Sequence, residues 1–317
     1  MKYRIKQKNE DFRVCEVINL DIADSPTNYQ LFCLVKSGIS TFNAIDIISQ
    51  EFNLEEGQIG VAGLKDEEGI TQQYLTIESH KVPSKFNDKD SNFWLELYQI
   101  GFSNNKITVG SNLGNAFNIV LRGLDEEAQN ALTSINETQL RVPNYYDSQR
   151  FGLPNQPALT HLIGQHYLEG NLDKCLEFAR ESGVLANREV TLENLDFLIP
   201  MRERAFWLCS HGSHMWNKKL SELIQAEGSA SASIRIADNS YFAPNQDDFA
   251  AHKLPNKLAI DKWRAIDGEI KKLSATRDCF IYCHFKSEPL DSDSCELQFT
   301  LPTGSYATMA IKGILGV

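Results

Sequence analysis

No run of about 18 consecutive apolar residues occurs in this 317-residue sequence, so no segment is long enough to cross a bilayer as a helix. The first eleven residues alternate and carry charge, without the apolar core that a secretory leader needs. A cytoplasmic protein with no membrane partner is expected. No C-x-x-C pair is present. The seven cysteines, Cys15, Cys33, Cys175, Cys209, Cys279, Cys283 and Cys295, are odd in number and scattered. That argues against a disulfide framework or a thiolate metal site and for reduced, mostly buried thiols. The patterns G-x-x-x-x-G-K-[ST], G-x-S-x-G and H-E-x-x-H are all missing, which removes the phosphate-loop, serine-hydrolase and zinc-peptidase classes. His211 and His214 could share a helix face, but no third ligand is evident, so no metal is expected. Internal repeats and low-complexity tracts are absent too.

Positive charge is scarce. The 31 Lys and Arg against 42 Asp and Glu leave a net charge of −11. Nucleic-acid-binding domains are usually basic, which speaks against a general binder. Contact is local, however, and charge beyond a Debye length of about 10 Å is largely screened. Lys2, Arg4, Lys6 and Lys8 alternate along the N-terminus. In a strand the two-residue period puts all four on one face, with Tyr3 and Ile5 on the other. Acidic residues gather elsewhere, at 88–90, 125–127 and 288–296.

With 42% apolar and 23% charged residues, the chain reads as globular and is long enough for two domains. Alternation predicts strands over 11–20, 29–36, 72–77, 92–99, 106–109 and 116–122, with a turn at Gly114-Asn115. Helices are expected over 42–52, capped at Ser40-Thr41, and over 125–135, with acidic residues in the first turn. Residues 141–152 form an aromatic and polar loop. Helical spacing then covers 157–185, 202–226 and 261–273, with a small-residue hinge at 228–233. Strand-like alternation returns over 278–286 and 296–301. The pattern is a mixed α and β domain in two discontinuous parts, interrupted by a mainly helical insertion from about 153 to 279.

Most chemistry is concentrated in Ala62-Gly63-Leu64-Lys65-Asp66-Glu67-Glu68-Gly69-Ile70-Thr71-Gln72-Gln73-Tyr74. An apolar run stops at a glycine, a Lys-Asp pair sits at the bend, and a strand leaves after a second glycine. This holds Asp66 at a loop tip between rigid elements, as a catalytic acid group requires; an aspartate stabilising its own turn gives the same pattern. Gly114-Asn115-Ala116-Phe117 places an Asn and an aromatic on one strand face. Val142 to Gly152 packs Tyr145, Tyr146, Arg150 and Phe151 into one loop, and rings with guanidinium planes suit unstacked RNA bases. A Gly-Ser turn in Leu301-Pro302-Thr303-Gly304-Ser305-Tyr306-Ala307-Thr308 opens a helix whose N–H groups could meet a phosphate, or simply be capped.

These strings, in this order, resemble the TruD family of pseudouridine synthases. To them are added Asn9-Glu10-Asp11-Phe12-Arg13-Val14, similar to the family's E-D-F-x-V, the sequence Gln149-Arg150-Phe151-Gly152, and Arg204-Ala205-Phe206-Trp207-Leu208 with Asn217. The resemblance runs from about residue 4 to residue 315. It departs from the family pattern at Phe102 to Lys106, with one basic residue where bacterial relatives carry several, and at Gly212, where a larger residue is usual. Both bear on RNA affinity more than on reaction type.

The resemblance implies an α+β fold: a pseudouridine synthase-like catalytic domain with a mixed antiparallel sheet, 1–152 and 280–317, and a TRUD insertion domain, 153–279. It implies isomerisation of uridine to pseudouridine in RNA, typically uridine 13 of tRNA, without metal or organic cofactor; a monomer is expected. By position, Asp66 is the catalytic residue, Lys6 its basic partner, Phe117 the ring against the target base and Asn115 a polar neighbour. Lys2, Arg4, Lys8, Lys65, Gln73, Tyr145 and Arg150 are expected as further RNA contacts. Asp66 must be ionised to attack the anomeric carbon or remove the C2′ proton, and Lys6 beside it would favour that form against desolvation. The alternative is a non-catalytic RNA-binding protein or tRNA chaperone on the same scaffold.

Overall fold

The computed structural model describes residues 1–79, 81–134, 138–153, 155–228, 230–244 and 254–315. Two expectations touch the others: Ile135, at the end of a helix, and Ser229, in the hinge, lie outside the described residues. In chain order the elements are β1 (Phe12–Ile18), β2 (Tyr29–Ser37), α1 (Thr41–Phe52), β3 (Ile59–Val61), β4 (Ile70–Glu78), β5 (Lys85–Lys89), β6 (Trp94–Ser103), β7 (Asn112–Arg122) and α2 (Glu126–Ser134). They continue with β8 (Thr138–Pro143), α3 (Thr160–Leu168), α4 (Leu172–Glu181), α5 (Leu195–Leu198), α6 (Met201–Ala226), β9 (Ala230–Ile236), β10 (Asn239–Pro244), β11 (Lys257–Ile266), β12 (Glu269–Asp278), β13 (Phe280–Asp291), β14 (Ser294–Pro302) and α7 (Ala307–Leu315). Packing divides the chain into residues 1–139 with 283–304, and residues 140–282 with 305–317. Residues 140–152, 280–282 and 305–317, grouped by sequence with the first part, fall by packing in the second. Asn217 of α6 binds both backbone groups of Tyr146, and Lys312 of α7 pairs with Asp147 at 2.7 Å.

The first unit is built on a mixed sheet in the order β5-β6-β2-β4-β1-β7-β14-β13, with β3 paired to β4. Only β1 and β4 run parallel among the registered neighbours. Ser40 caps α1 by accepting from the Asn43 N–H at 3.1 Å. Ala44 and Ile48 of that helix pack on Phe32, Leu34, Leu75, Ile77, Leu95 and Leu97, each fully burying its side chain. Burial of each large aliphatic chain contributes about 1.5–3 kcal/mol. The fold class is therefore mixed α and β, as the sequence implies.

Three local expectations fail here. Residues 1–8 do not form a strand; Arg4 makes an isolated bridge to Arg122, and Lys6 adopts φ +55°, which ends the two-residue alternation and scatters the basic stripe. Residues 106–109 are a loop, tied down by the Ile107 N–H on Thr76 Oγ1 and the Gly110 N–H on Ala62. Gly114-Asn115 is not a turn but mid-strand in β7. Glycine is needed there because a Cβ would collide with the Leu301 carbonyl of β14.

The second unit contains α3 to α6 and two hairpins, β9–β10 and β11–β12. The helical run expected over 157–185 is split by the turn at Gly170. The hinge at 228–233 is mostly strand β9. The helix expected over 261–273 is absent: an Asp267-Gly268 turn folds this stretch into a hairpin in ten-pair register. Gly212 of α6 explains how that ribbon docks, since a Cβ would meet the Asp261 carbonyl oxygen at 2.5 Å and the Trp263 ring at 3.0 Å. Among the described residues, no helix is long and apolar enough to cross a membrane.

Candidate active site

Asp66 lies in the loop between β3 and β4, and 54% of its side chain is exposed. Lys6 Nζ is 3.4 Å from its Oδ2 and 3.5 Å from Glu68 Oε2. The same ammonium sits 4.5 Å from the centre of the Phe12 ring. A half-exposed pair of this kind adds little stability, about 0–1 kcal/mol, so its value lies in where it holds the charges.

The loop backbone is fixed from beneath. The fully buried Lys36 donates to the carbonyls of Asp66 at 2.8 Å, Ile39 at 2.7 Å and Lys65 at 3.5 Å. Thr41 Oγ1 accepts from the Lys65 N–H and donates to Gln73 Oε1, both at 2.9 Å, while Gln73 Nε2 donates to the Gly63 carbonyl. Lys65 Nζ meets Glu16 Oε1 at 2.7 Å in a buried ion pair, and Glu16 Oε2 accepts from the Tyr74 N–H. Gly69 closes the loop at φ +105°, where a Cβ would strike the Phe12 carbonyl. Burial pulls the Lys36 amine down to about 8, against the opposing pull of the Asp66 and Glu67 charges.

Strand register explains why these groups meet. Lys36 pairs with Thr71, Thr71 with Val14, Val14 with Phe117, and Phe117 with Phe299. Residues two apart share a face, so Gln73, Glu16 and Asn115 lie on that same face. Phe117 stacks on Phe299 at 5.3 Å and meets the Phe12 edge at 6.2 Å. Phe12 thus links the Lys6–Asp66 pair to Phe117. Asn115 is half-buried; its Oδ1 has no hydrogen-bond partner among the described residues.

Several expected RNA contacts need correction. Lys65 and Gln73 are buried and fully engaged, because they hold up the loop rather than project from it. Tyr145, in the second unit, is wholly buried and donates its hydroxyl to the Phe242 carbonyl at 2.7 Å. Lys2, Arg4 and Lys8 are exposed, but not as one stripe. Arg150, also in the second unit, is half-buried, with Nε donating to Ser213 Oγ at 3.1 Å. His214 stacks on His161 at 4.4 Å and meets the Tyr241 hydroxyl. Among the described residues no group of three or more His, Cys, Asp or Glu is placed to hold a metal.

Sequence reading missed Lys36, Thr41, Glu16 and Phe12 as parts of this assembly. A signal was present for two of them. Lys36 follows Phe32 and Leu34 on the inward face of β2, and Glu16 follows Phe12 and Val14 on that of β1. A charge at a core-facing strand position demands a partner.

The sequence profile of tRNA pseudouridine synthase D (TruD) matches residues 1–192. The chain is 25% identical to the protein named as a probable tRNA pseudouridine synthase D 1 in Methanococcus maripaludis, covering all of both chains. It is 26% identical to tRNA pseudouridine synthase D of Leptospira interrogans, covering 99% of this chain and 96% of that one. Identity rises to 34% with a Nanoarchaeum equitans protein named as a probable tRNA pseudouridine synthase D, over 56% of this chain and 46% of the relative. A crystal structure assigned to TruD from Methanosarcina mazei superposes with a TM-score of 0.62 at 19% identity, covering 99% of this chain and 94% of that one, which shows a common fold. With more than half its length matched by one profile, the chain belongs to the tRNA pseudouridine synthase D (TruD) family.

Proposed function

We propose that this protein converts uridine to pseudouridine in tRNA, at uridine 13, with Asp66 as the catalytic residue. The observation that carries the reading is the Lys6–Asp66 pair on a loop clamped by buried Lys36 and Thr41. Family membership supports the reaction class. The reaction breaks the bond from N1 to C1′, turns the base and joins C5 to C1′; C5 loses a proton and N1 gains one. A carboxylate can run this by attack at C1′, or by removing the C2′ proton to give a glycal. Both routes need the anion, and Lys6 supplies a positive charge beside it. The Phe117 ring, backed by Phe299, offers an apolar face to the displaced base and keeps water from the reactive sugar. Taking a uridine out of its stack costs a few kcal/mol, which contacts to the RNA must offset. The reading includes a cytoplasmic monomer working without metal or organic cofactor.

The test is pseudouridine mapping on an unmodified tRNA transcript incubated with purified protein. Asp66→Asn is expected to abolish product with an unchanged melting temperature, and Lys6→Met to lower kcat by about a hundredfold. Wild-type activity in Asp66→Asn would remove the assignment. Binding without any product from the wild-type chain would favour the RNA-binding alternative. Mapping tRNA from cells with and without the protein fixes the position and shows whether another RNA is the main substrate.

A further inference from the structure

Five side chains of the second unit alternate as rings and guanidinium groups. The Arg277 guanidinium carbon lies 5.4 Å from the centre of the Trp216 ring and 4.0 Å from that of Tyr146. The Arg150 carbon lies 5.7 Å from Tyr146 and 4.8 Å from Phe206. Trp216 and Tyr146 are buried, whereas Phe206 is 42% exposed. The ladder therefore begins in the core and ends at the surface on a partly exposed ring.

That outer end is held rigidly. Phe206, Ser210, Ser213 and Asn217 follow one stripe of α6. Ser213 Oγ accepts from Arg150 Nε at 3.1 Å and itself donates to the Cys209 carbonyl; Ser210 Oγ donates to the Arg150 carbonyl at 3.0 Å. Asn217 fixes the Tyr146 backbone at 2.9 and 2.8 Å. Arg150 forms no ion pair with a carboxylate among the described residues, in a chain of net charge −11.

We propose that Phe206, backed by Arg150, is a stacking platform for an unpaired RNA base, with Arg150 supplying the positive charge for its phosphate. The inference rests on RNA being the substrate and adds a binding position remote in sequence from Asp66. A base has the flat π-face that continues an alternation of rings and guanidinium planes, and phosphate suits an arginine with no carboxylate of its own. A pre-positioned ring also loses little freedom when a base stacks on it.

Equilibrium binding of an unmodified tRNA transcript to the full-length protein tests this separately from turnover. Phe206→Ala is expected to weaken the affinity about fivefold or more, with an unaltered salt dependence because no charge is removed. Phe206→Trp restores the affinity and Phe206→Leu does not, although Leu keeps the apolar bulk. Arg150→Met weakens binding and lowers the salt slope by about one. An affinity equal to wild type in Phe206→Ala, or full rescue by Leu, overturns the platform. Absence of pseudouridine in the wild-type reaction overturns the proposed activity instead and leaves the binding comparison readable.

Discussion

Lys36 governs a loop to which it does not belong. Its ammonium serves the carbonyls of Ile39, Lys65 and Asp66, and a neutral amine, with two protons to donate, cannot serve all three. Burial sets its value near 8, below the ordinary 10.5. Between these values the unfolded chain holds more protons, so this residue's contribution to stability rises as pH climbs through that window. Turnover is expected to move the other way: kcat falls as pH passes about 8, because the Asp66 backbone loses its anchor. Lys36→Met should lower kcat at neutral pH by about tenfold or more, with KM little changed and this alkaline limb gone. A pH–rate profile of both proteins checks it; an unchanged limb in the variant would assign the titration to another group. Sequence reading found Asp66 and Lys6 but passed over Lys36: its place after Phe32 and Leu34 marks the inward face of β2, but only the fold shows which carbonyls it reaches.

At the scale of elements, α3 and α6 meet through imidazoles. His161 stacks on His214, and Phe151 presents its edge to both. His211 lies one turn before His214 on α6, near the charges of Glu169 and Asp261, while Lys218 faces His214 and Tyr241 of β10 contacts it. Burial pushes His161 down to about 4 and lowers the other two. As pH drops from 6.5 to 4, the unfolded chain takes up protons that the folded one refuses, so stability falls, by up to about 3 kcal/mol for His161 alone. Urea unfolding at pH 7.5 and 4.5 measures this, and His161→Leu should flatten the difference; the same midpoint shift in that variant would exclude His161 as its source. Elements with strong local period were legible, such as α1, β2 and α6. The ribbon β11–β12 was not. Trp263, Ile266, Ile270 and Leu273 also fit a helical spacing, and only the Asp267-Gly268 turn and the docking on Gly212 select the hairpin.

Over the whole molecule, net charge −11 sets the long-range field against RNA. Binding must then depend on few cations, so log K against log salt is expected to be shallow, matching about three or fewer neutralised phosphates. Affinity measured between 50 and 200 mM salt (roughly the range in which the slope is read) tests this; a slope matching six or more would mean a basic tract these exposed residues do not account for. The sequence alone carried the family, the α+β class, the strand that bears Phe117 and the bend that bears Asp66, because each is written in contiguous residues. It could not say which cations stay free. Lys65 and Lys6 are both lysines close to Asp66, one by sequence and one 60 residues away, yet the neighbour is buried against Glu16 and the distant one reaches the carboxylate. Tertiary structure decided that, together with the row from Lys36 to Phe299 and the meeting of Arg150 with Phe206, because strand order and helix packing bring together residues whose local patterns carry no record of one another.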